Sequence, residues 1–297
     1  MRPGAWIGSA LAATALVLTG CGGASAPTQT STVPDAAVAV LGAEPYRPDV
    51  PNLTTTVYLP ADVAAPEQLP VVVLVPGGGW TSADPTGMVP LARTLAGDGV
   101  ATATTTYRTS SDQAFFPTPV QDVVCAVDAV VARIREVGHE VGPVVVVGHS
   151  AGAQLAALAA LVGDRYHEGC PSQAVRPDGL VGLAGPYDVE MAASIAQNLF
   201  AETPEADPES WTAGNPVRQA GERPDLPVLL VHRGSDTVVP LLFSQDFADA
   251  LRAGGHPVQL QVLPGLDHQD VYQPDAATDP ILRYVKRLQP SPAHSLS

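Results

Sequence analysis

The stretch "VVVVGHSAGAQLAALAA", residues 144–160, decides the fold. Four consecutive valines favour a strand buried on both faces. The run from Gln154 to Ala160 is rich in alanine and leucine and favours a helix. Between them lies a turn in which Gly148 and Gly152 flank Ser150. A serine at the head of a helix can serve simply as its N-cap. A cap alone does not need glycine on both sides. The pattern instead predicts a tight strand-to-helix turn that presents Ser150 in a strained, exposed position.

Working outward, strand and helix patterns alternate. Strands are predicted at 53–59, 71–75, 100–107, 179–184, 227–232 and 258–263, and helices at 88–96, 116–137, 241–253 and 277–288. Residues 188–220 carry several prolines and read as short helices and loops, a candidate small cap over a site. The alternation predicts an α/β domain with a mostly parallel sheet and helices on both faces. Ligand sites in such folds lie beyond the carboxyl ends of the strands. There the sequence places "PGGGW" (76–80), Ser150, Gly234-Ser235-Asp236 and Gly265-Leu266-Asp267-His268. A serine, an aspartate and a histidine thus fall at one edge of one predicted sheet.

The chain has 297 residues, enough for a large core without staples. Its 45% hydrophobic and 15% charged composition excludes global disorder. A formal net charge of −15 argues against nucleic acid as a partner, because phosphate would be repelled. There is no C-x-x-C, no His-Glu-x-x-His, no Walker loop and no internal repeat, so neither metal nor cofactor is expected.

The N-terminus reads "MRPGAWIGSALAATALVLTGC". Arg2 followed by an apolar stretch too short for a stable membrane span predicts an export signal over residues 1–20. Leu18-Thr19-Gly20-Cys21 resembles the lipobox of bacterial lipoproteins, which implies cleavage before Cys21 and diacylglycerol on its sulfur. The alternative is a simple signal peptide with an incidental cysteine. Removing Arg2 takes the formal charge from −15 to −16. Residues 21–37 are small and polar and read as a tether, leaving 38–297 as the folded domain. The expected location is the outer face of a bacterial membrane. Export exposes Cys125 and Cys170 to an oxidising space, where a bridge between them is expected; the alternative is two buried thiols.

A serine hydroxyl becomes nucleophilic when an imidazole takes its proton, and a carboxylate holds that imidazole in one tautomer. Backbone N–H groups must await the oxyanion, and a glycine-rich loop lets them approach. Here the chain resembles the α/β-hydrolase superfamily, most closely its esterase and lipase branch with hormone-sensitive-lipase-like and feruloyl-esterase-like members. The matching stretches are "PGGGW", "TYR" (106–108), "FPTPVQDV" (116–123), "GHSAG", "GLAGPYD" (182–188), "HRGSDTVVP" (232–240) and "GLDH" (265–268), in the family's order. The resemblance implies Ser150 as nucleophile, His268 as general base and acid, and Asp236 as orienting carboxylate. It implies oxyanion donors from the N–H of Ala151 and of Gly78 and Gly79. The family often has His before the glycines; Pro76 stands there instead, which leaves open which glycine donates.

Rivals exist for each role. Asp236 also fits an Asx-turn, and Asp188 is its competitor just after a strand. His232, His256 and His149 compete with His268; His256 precedes its strand, and His149 reads as support for the turn. His139, His167 and His294 read as surface residues. The run Glu202, Glu205, Asp207 and Glu209 reads as a solvated face. Trp80 and Trp211 fit either an acyl pocket or the core. The resemblance implies hydrolysis of small or medium carboxylic esters through an acyl-serine intermediate. An exported amidase or peptidase with the same triad, or a non-catalytic binding protein of the same fold, are the alternatives. Acyl and alcohol specificity and oligomeric state are not written in these motifs.

Overall fold

The computed structural model describes Met1 and residues 37–63, 68–265 and 267–288. Residues 2–36, which hold the proposed export signal after Met1, Cys21 and the tether up to Ala37, and His294 lie outside the described residues, and Val33–Ser297 forms one unit. The strands are β1 (Val38–Pro45), β2 (Thr54–Pro60), β3 (Gln68–Val75), β4 (Ala101–Thr105), β5 (Glu140–His149), β6 (Gly179–Leu183), β7 (Val228–Arg233) and β8 (Val258–Leu263). The helices are α1 (Val89–Gly97), α2 (Thr118–Glu136), α3 (Ala151–Val162), α4 (Ala193–Phe200), α5 (Pro208–Ala213), α6 (Leu242–Ala253) and α7 (Pro274–Val285).

The eight strands form one sheet in the order β1-β2-β4-β3-β5-β6-β7-β8. β1 and β2 are antiparallel, β2 meets β4 antiparallel, and every later pairing is parallel. β3 and β5 are central, so their valine runs are buried on both faces. Val71, Val73, Val75, Val144 and Val146 pack with α2, α3 and α6. Val72, Leu74, Val145 and Val147 pack with α1 and α7. This period-two division between two cores is what a doubly covered strand requires. α3 is buried along its whole length, which explains why it carries no polar stripe.

Register positions the site. Val75 pairs with Gly148 across β3 and β5, so the loop after Val75 starts beside the turn after β5. Leu183 pairs with Val231, and Arg233 with Leu263. The carboxyl ends of β3, β5, β6, β7 and β8 therefore finish along one edge.

The sequence-based elements match within a few residues, with one omission. β1 is an edge strand whose residues are mostly exposed, so it lacks the apolar alternation that marks a half-buried strand. α7 begins at Pro274, three residues before the expected start, with proline at its first turn.

Candidate active site

Ser150 sits between β5 and α3 with φ 52° and ψ −125°. That is a strained conformation for a residue with a Cβ. It occupies the N-cap position but makes no side-chain cap bond, so its hydroxyl is not spent on the helix. Its N–H donates to the Leu183 carbonyl at 2.9 Å, tying the turn to β6. The flanking glycines are required sterically. A Cβ on Gly148 would collide with the Gly152 carbonyl, and one on Gly152 with the carbonyls of Val75 and Pro76.

His268 and Asp236 come together from the segments that follow the neighbouring parallel strands β8 and β7. His268 Nδ1 lies 2.6 Å from Asp236 Oδ2, and both side chains are buried. An ionised carboxylate only accepts, so Nδ1 carries the proton and Nε2 presents a lone pair. Nε2 is buried without a hydrogen-bond partner among the described residues. Asp236 Oδ1 accepts from the N–H groups of Val238 (2.8 Å) and Val239 (3.0 Å). The Asx-turn and the pairing with histidine are therefore both real, one on each oxygen. Burial alone would raise the Asp236 carboxyl. The hydrogen bonds from His268, Val239 and Val238 outweigh it and hold the group below its ordinary value.

The rivals have other partners. Asp188 Oδ1 accepts from Glu190 and Met191 N–H and from Asn215 Nδ2, closing its own turn. His232 bonds Ser244 Oγ at 2.7 Å and the Val239 carbonyl at 2.8 Å, so both of its nitrogens are engaged. His256 bonds the Leu226 carbonyl at the far edge of the sheet. His149 is the informative one. Its Nε2–H donates to the main-chain carbonyl of His268 at 3.1 Å, and its ring lies 4.7 Å from that of His268 and 4.6 Å from that of Tyr272. Burial, reinforced by neighbouring His268, pushes His149 down to about 3, so it is neutral. No local signal predicts this contact, because its partner lies 119 positions away.

The loop at 76–82 turns through three consecutive positive φ values, at Gly78 (137°), Gly79 (59°) and Trp80 (58°). A Cβ on Gly78 would strike the Ser82 carbonyl, so glycine is required there. The carbonyls of this loop are held from outside. Tyr107 Oη donates to Pro76 O at 2.9 Å, Asn198 Nδ2 to Gly79 O at 3.2 Å, and Ser110 N–H to Trp80 O at 3.0 Å. Thr81 and Ser82 N–H donate back to Gly78 O. The N–H groups of Gly78 and Gly79 make no backbone bond among the described residues. Such a loop forms a concave array of donors. Where the resembling enzymes often have His, Tyr107 reaches the loop at Pro76. Arg108, beside it, is locked on Asp122 through Nε (2.8 Å) and Nη2 (2.7 Å).

Ser150, Ala151, His268, Gly78 and Gly79 line a common cleft of about 520 Å³. Two other clefts, of about 310 and 400 Å³, lie at the amino ends of the strands, away from these residues. The 188–220 segment folds into α4 and α5, and Ile195 and Asn198 of α4 form part of the cleft wall. Trp80 borders the cleft but is fully buried, its Nε1–H on Gln154. Trp211 stacks on Phe200 in the core, so an acyl-pocket role for it does not hold. The acidic run at 202–209 is largely solvated, and Asp207 caps α5 through Ser210 N–H.

His167 corrects the surface assignment. It is half-buried, with Nε2 3.1 Å from Asp128 Oδ2, and burial pushes the Asp128 carboxyl up to about 7. These two and Cys170 hold ligand atoms within 4.8 Å of one another. The Cys170 sulfur, however, is joined to Cys125 in a disulfide between α2 and the loop after α3. His139 is also half-buried rather than solvated.

The BD-FAE family model matches residues 56–251, more than half of the chain. The chain belongs to the BD-FAE family. The matched segment of this BD-FAE protein contains Ser150 and Asp236, while His268 lies beyond it. Among curated relatives it is 29% identical over 213 residues to "Probable carboxylic ester hydrolase LipM" of Mycobacterium tuberculosis, covering 67% of this chain and 49% of that protein. It is 28% identical over 214 residues to "Esterase LipC" of the same organism, covering 67% and 52%. The chain thus spans about half the length of these relatives. Among solved structures, a truncated carbohydrate esterase from gut microbiota superposes with a TM-score of 0.71 at 18% identity, over 85% of this chain and 97% of that one. With the sheet order above, this likeness establishes the α/β-hydrolase fold.

Proposed function

We propose that this BD-FAE protein is a serine hydrolase that cleaves carboxylic esters through an acyl-Ser150 intermediate. One observation carries the reading: His268 is bound to Asp236 through Nδ1 and holds an unpartnered Nε2 in the cleft that Ser150 enters from a strained turn. Ser150 Oγ attacks the ester carbonyl carbon while its proton passes to His268 Nε2. Asp236 keeps the imidazole in the required tautomer and stabilises the imidazolium. The oxyanion is received by N–H groups of Ala151 and of the Gly78-Gly79 loop; each such donor is typically worth about 3–4 kcal/mol of barrier. Collapse breaks the bond to the alcohol, whose oxygen takes the proton from Nε2. Water then attacks the acyl-enzyme, giving its proton to His268, and the acid leaves as Ser150 regains its hydrogen. The names of the mycobacterial relatives favour an ester over an amide.

The decisive experiment treats the purified chain with a fluorophosphonate and locates the label by peptide mass spectrometry. Label on Ser150, absent in Ser150→Ala, is expected. A folded protein that takes no label would remove Ser150 as a nucleophile and favour a binding role. The same proposal places the enzyme on the outer membrane face through lipid on Cys21, a reading that rests on the sequence at 18–21. Cys21→Ala should lose lipid and membrane retention; unchanged retention would overturn the anchor.

A further inference from the structure

Among the described residues, Val40, Val137 and Val262 are exposed singly on β1, after α2 and on β8, whereas four other exposed large apolar side chains lie near the cleft. Met191, Ile195, Val238 and Leu242 are 49%, 47%, 64% and 50% exposed. They lie on only two segments, the approach to α4 with its first turn, and the loop from β7 into α6. Those segments pack on each other through a small buried cluster of Ala192, Val239 and Phe243. Met191, Val238 and Leu242 adjoin those three residues in the chain and Ile195 lies one turn beyond Ala192, so the packing of the cluster gathers the four as an apolar ridge. Ile195, Val238 and Val239 are also part of the wall of the cleft over Ser150. Ile195 and Val238 thus lie in the cleft wall, and Met191 and Leu242 lie just outside it, four residues along the chain from each.

The rest of the cleft is mixed: Trp80, Met88 and Pro186 line it beside Thr81, Asp84 and Gln269, and Asp267 and Asp270 lie close enough to raise the Tyr272 phenol, after the larger effect of its burial. No Lys or Arg lines the cleft among the described residues. An anionic limb would find no counter-charge there and would meet carboxylates. A contiguous apolar surface leading out of a cleft marks a place where apolar ligand surface is removed from water.

We infer that the ridge Met191–Ile195–Val238–Leu242 binds an uncharged alkyl or aryl limb of the ester, so the substrate class is a neutral ester with an extended apolar group. This rests on the ester-hydrolase reading above. From Ile195 to Met191 the chain winds back one turn, with Ala192 N–H already on the Asp188 carbonyl. Four residues at helical rise span about 6 Å, room for roughly four or five carbons of an extended chain. Met191 and Leu242 do not line the cleft, so on this inference a short acyl group bound there leaves them uncovered. A full methylene transfer from water is worth about four-fold in an equilibrium, and contact on one face roughly half of that free energy, or about two-fold.

The test compares kcat/KM for two matched series below their aggregation concentrations. One series lengthens the acyl chain on a fixed alcohol; the other lengthens the alcohol of acetate esters. The expected result is a rise of about two-fold per methylene in one series, roughly fifteen-fold over four carbons. The series that rises identifies the limb on the ridge. Met191→Ser and Leu242→Ser, both at exposed positions, should flatten that series by lowering the ratio of long-chain to short-chain rates. A negative charge at the end of the long limb should abolish the gain. Flat profiles in both series, or variants that lower long and short esters equally, overturn the inference while fluorophosphonate labelling of Ser150 still stands. Absence of that labelling overturns the ester-hydrolase reading and the inference with it.

Discussion

Tyr107→Phe tests how the donor loop is held without a histidine before its glycines. Tyr107 is buried two residues beyond β4, and burial holds its phenol protonated, so it is a neutral donor. Its phenol donates to Pro76 O, 2.9 Å away, on the residue that opens the loop. The substitution keeps the ring and its packing and deletes only that bond. It leaves a carbonyl with no donor, at a cost of about 1–3 kcal/mol. Two destinations exist for that cost. A loop that stays in place bears it as lost folding stability, read as a lower urea midpoint with an unchanged slope. A loop that turns its carbonyl toward water relieves the stability loss and misplaces the Gly78 and Gly79 N–H groups. The loss then appears as a slower reaction at Ser150, at most about five- to 150-fold. The rate of Ser150 phosphonylation measures this without a known substrate, because in the proposed mechanism the phosphonate oxygen takes the place of the ester oxyanion. KM for a short ester should change little, since Tyr107 does not line the cleft. Stability and phosphonylation rate both within about two-fold of wild type would refute the claim that this hydrogen bond supports the loop.

Two further outcomes follow from buried groups elsewhere. His149 is neutral in the fold, with its pKa down at about 3, and gains a proton on unfolding below about 6.5. The unfolded state thus binds more protons between those values, and stability falls as pH falls through that window, by about 1.4 kcal/mol per unit. Urea titrations at pH 4, 5 and 6 should show this slope reduced by that amount in His149→Asn; equal slopes would refute it. The Cys125–Cys170 disulfide spans 45 positions, and its loss in Cys125→Ala/Cys170→Ala should cost about 2–4 kcal/mol. Non-reducing peptide mapping should recover the linked pair, and free alkylation of both cysteines in the native protein would count against the bridge.

Much of this molecule is written in local signals. Four valines, two glycines around Ser150 and an alanine-leucine run specify a strand, a turn and a helix because each depends on neighbours a few positions away. The order of the serine, aspartate and histidine segments along an alternating chain also places them at one edge, because parallel strands carry their following loops on the same side. β1 escapes such reading because an exposed edge strand has no pattern to detect.

What the chain order leaves open is set by contacts between distant residues. The choice of Asp236 over Asp188 rests on the 2.6 Å approach of His268, made only when β7 and β8 pair in register. The link from His149 to the His268 backbone, the Tyr107 and Asn198 bonds to the donor loop, and the pairing of His167 with Asp128 join segments 39 to 119 positions apart or 31 in the case of Tyr107. The ridge beside the cleft arises the same way, from a segment read as a candidate cap and one read as the motif around Asp236, brought together as Ala192, Val239 and Phe243 pack. Sequence alone determined the elements and the candidate residues they carry, because propensity and steric demand act over one turn of chain. Tertiary structure alone decided which groups meet, because register and packing are properties of the assembled sheet.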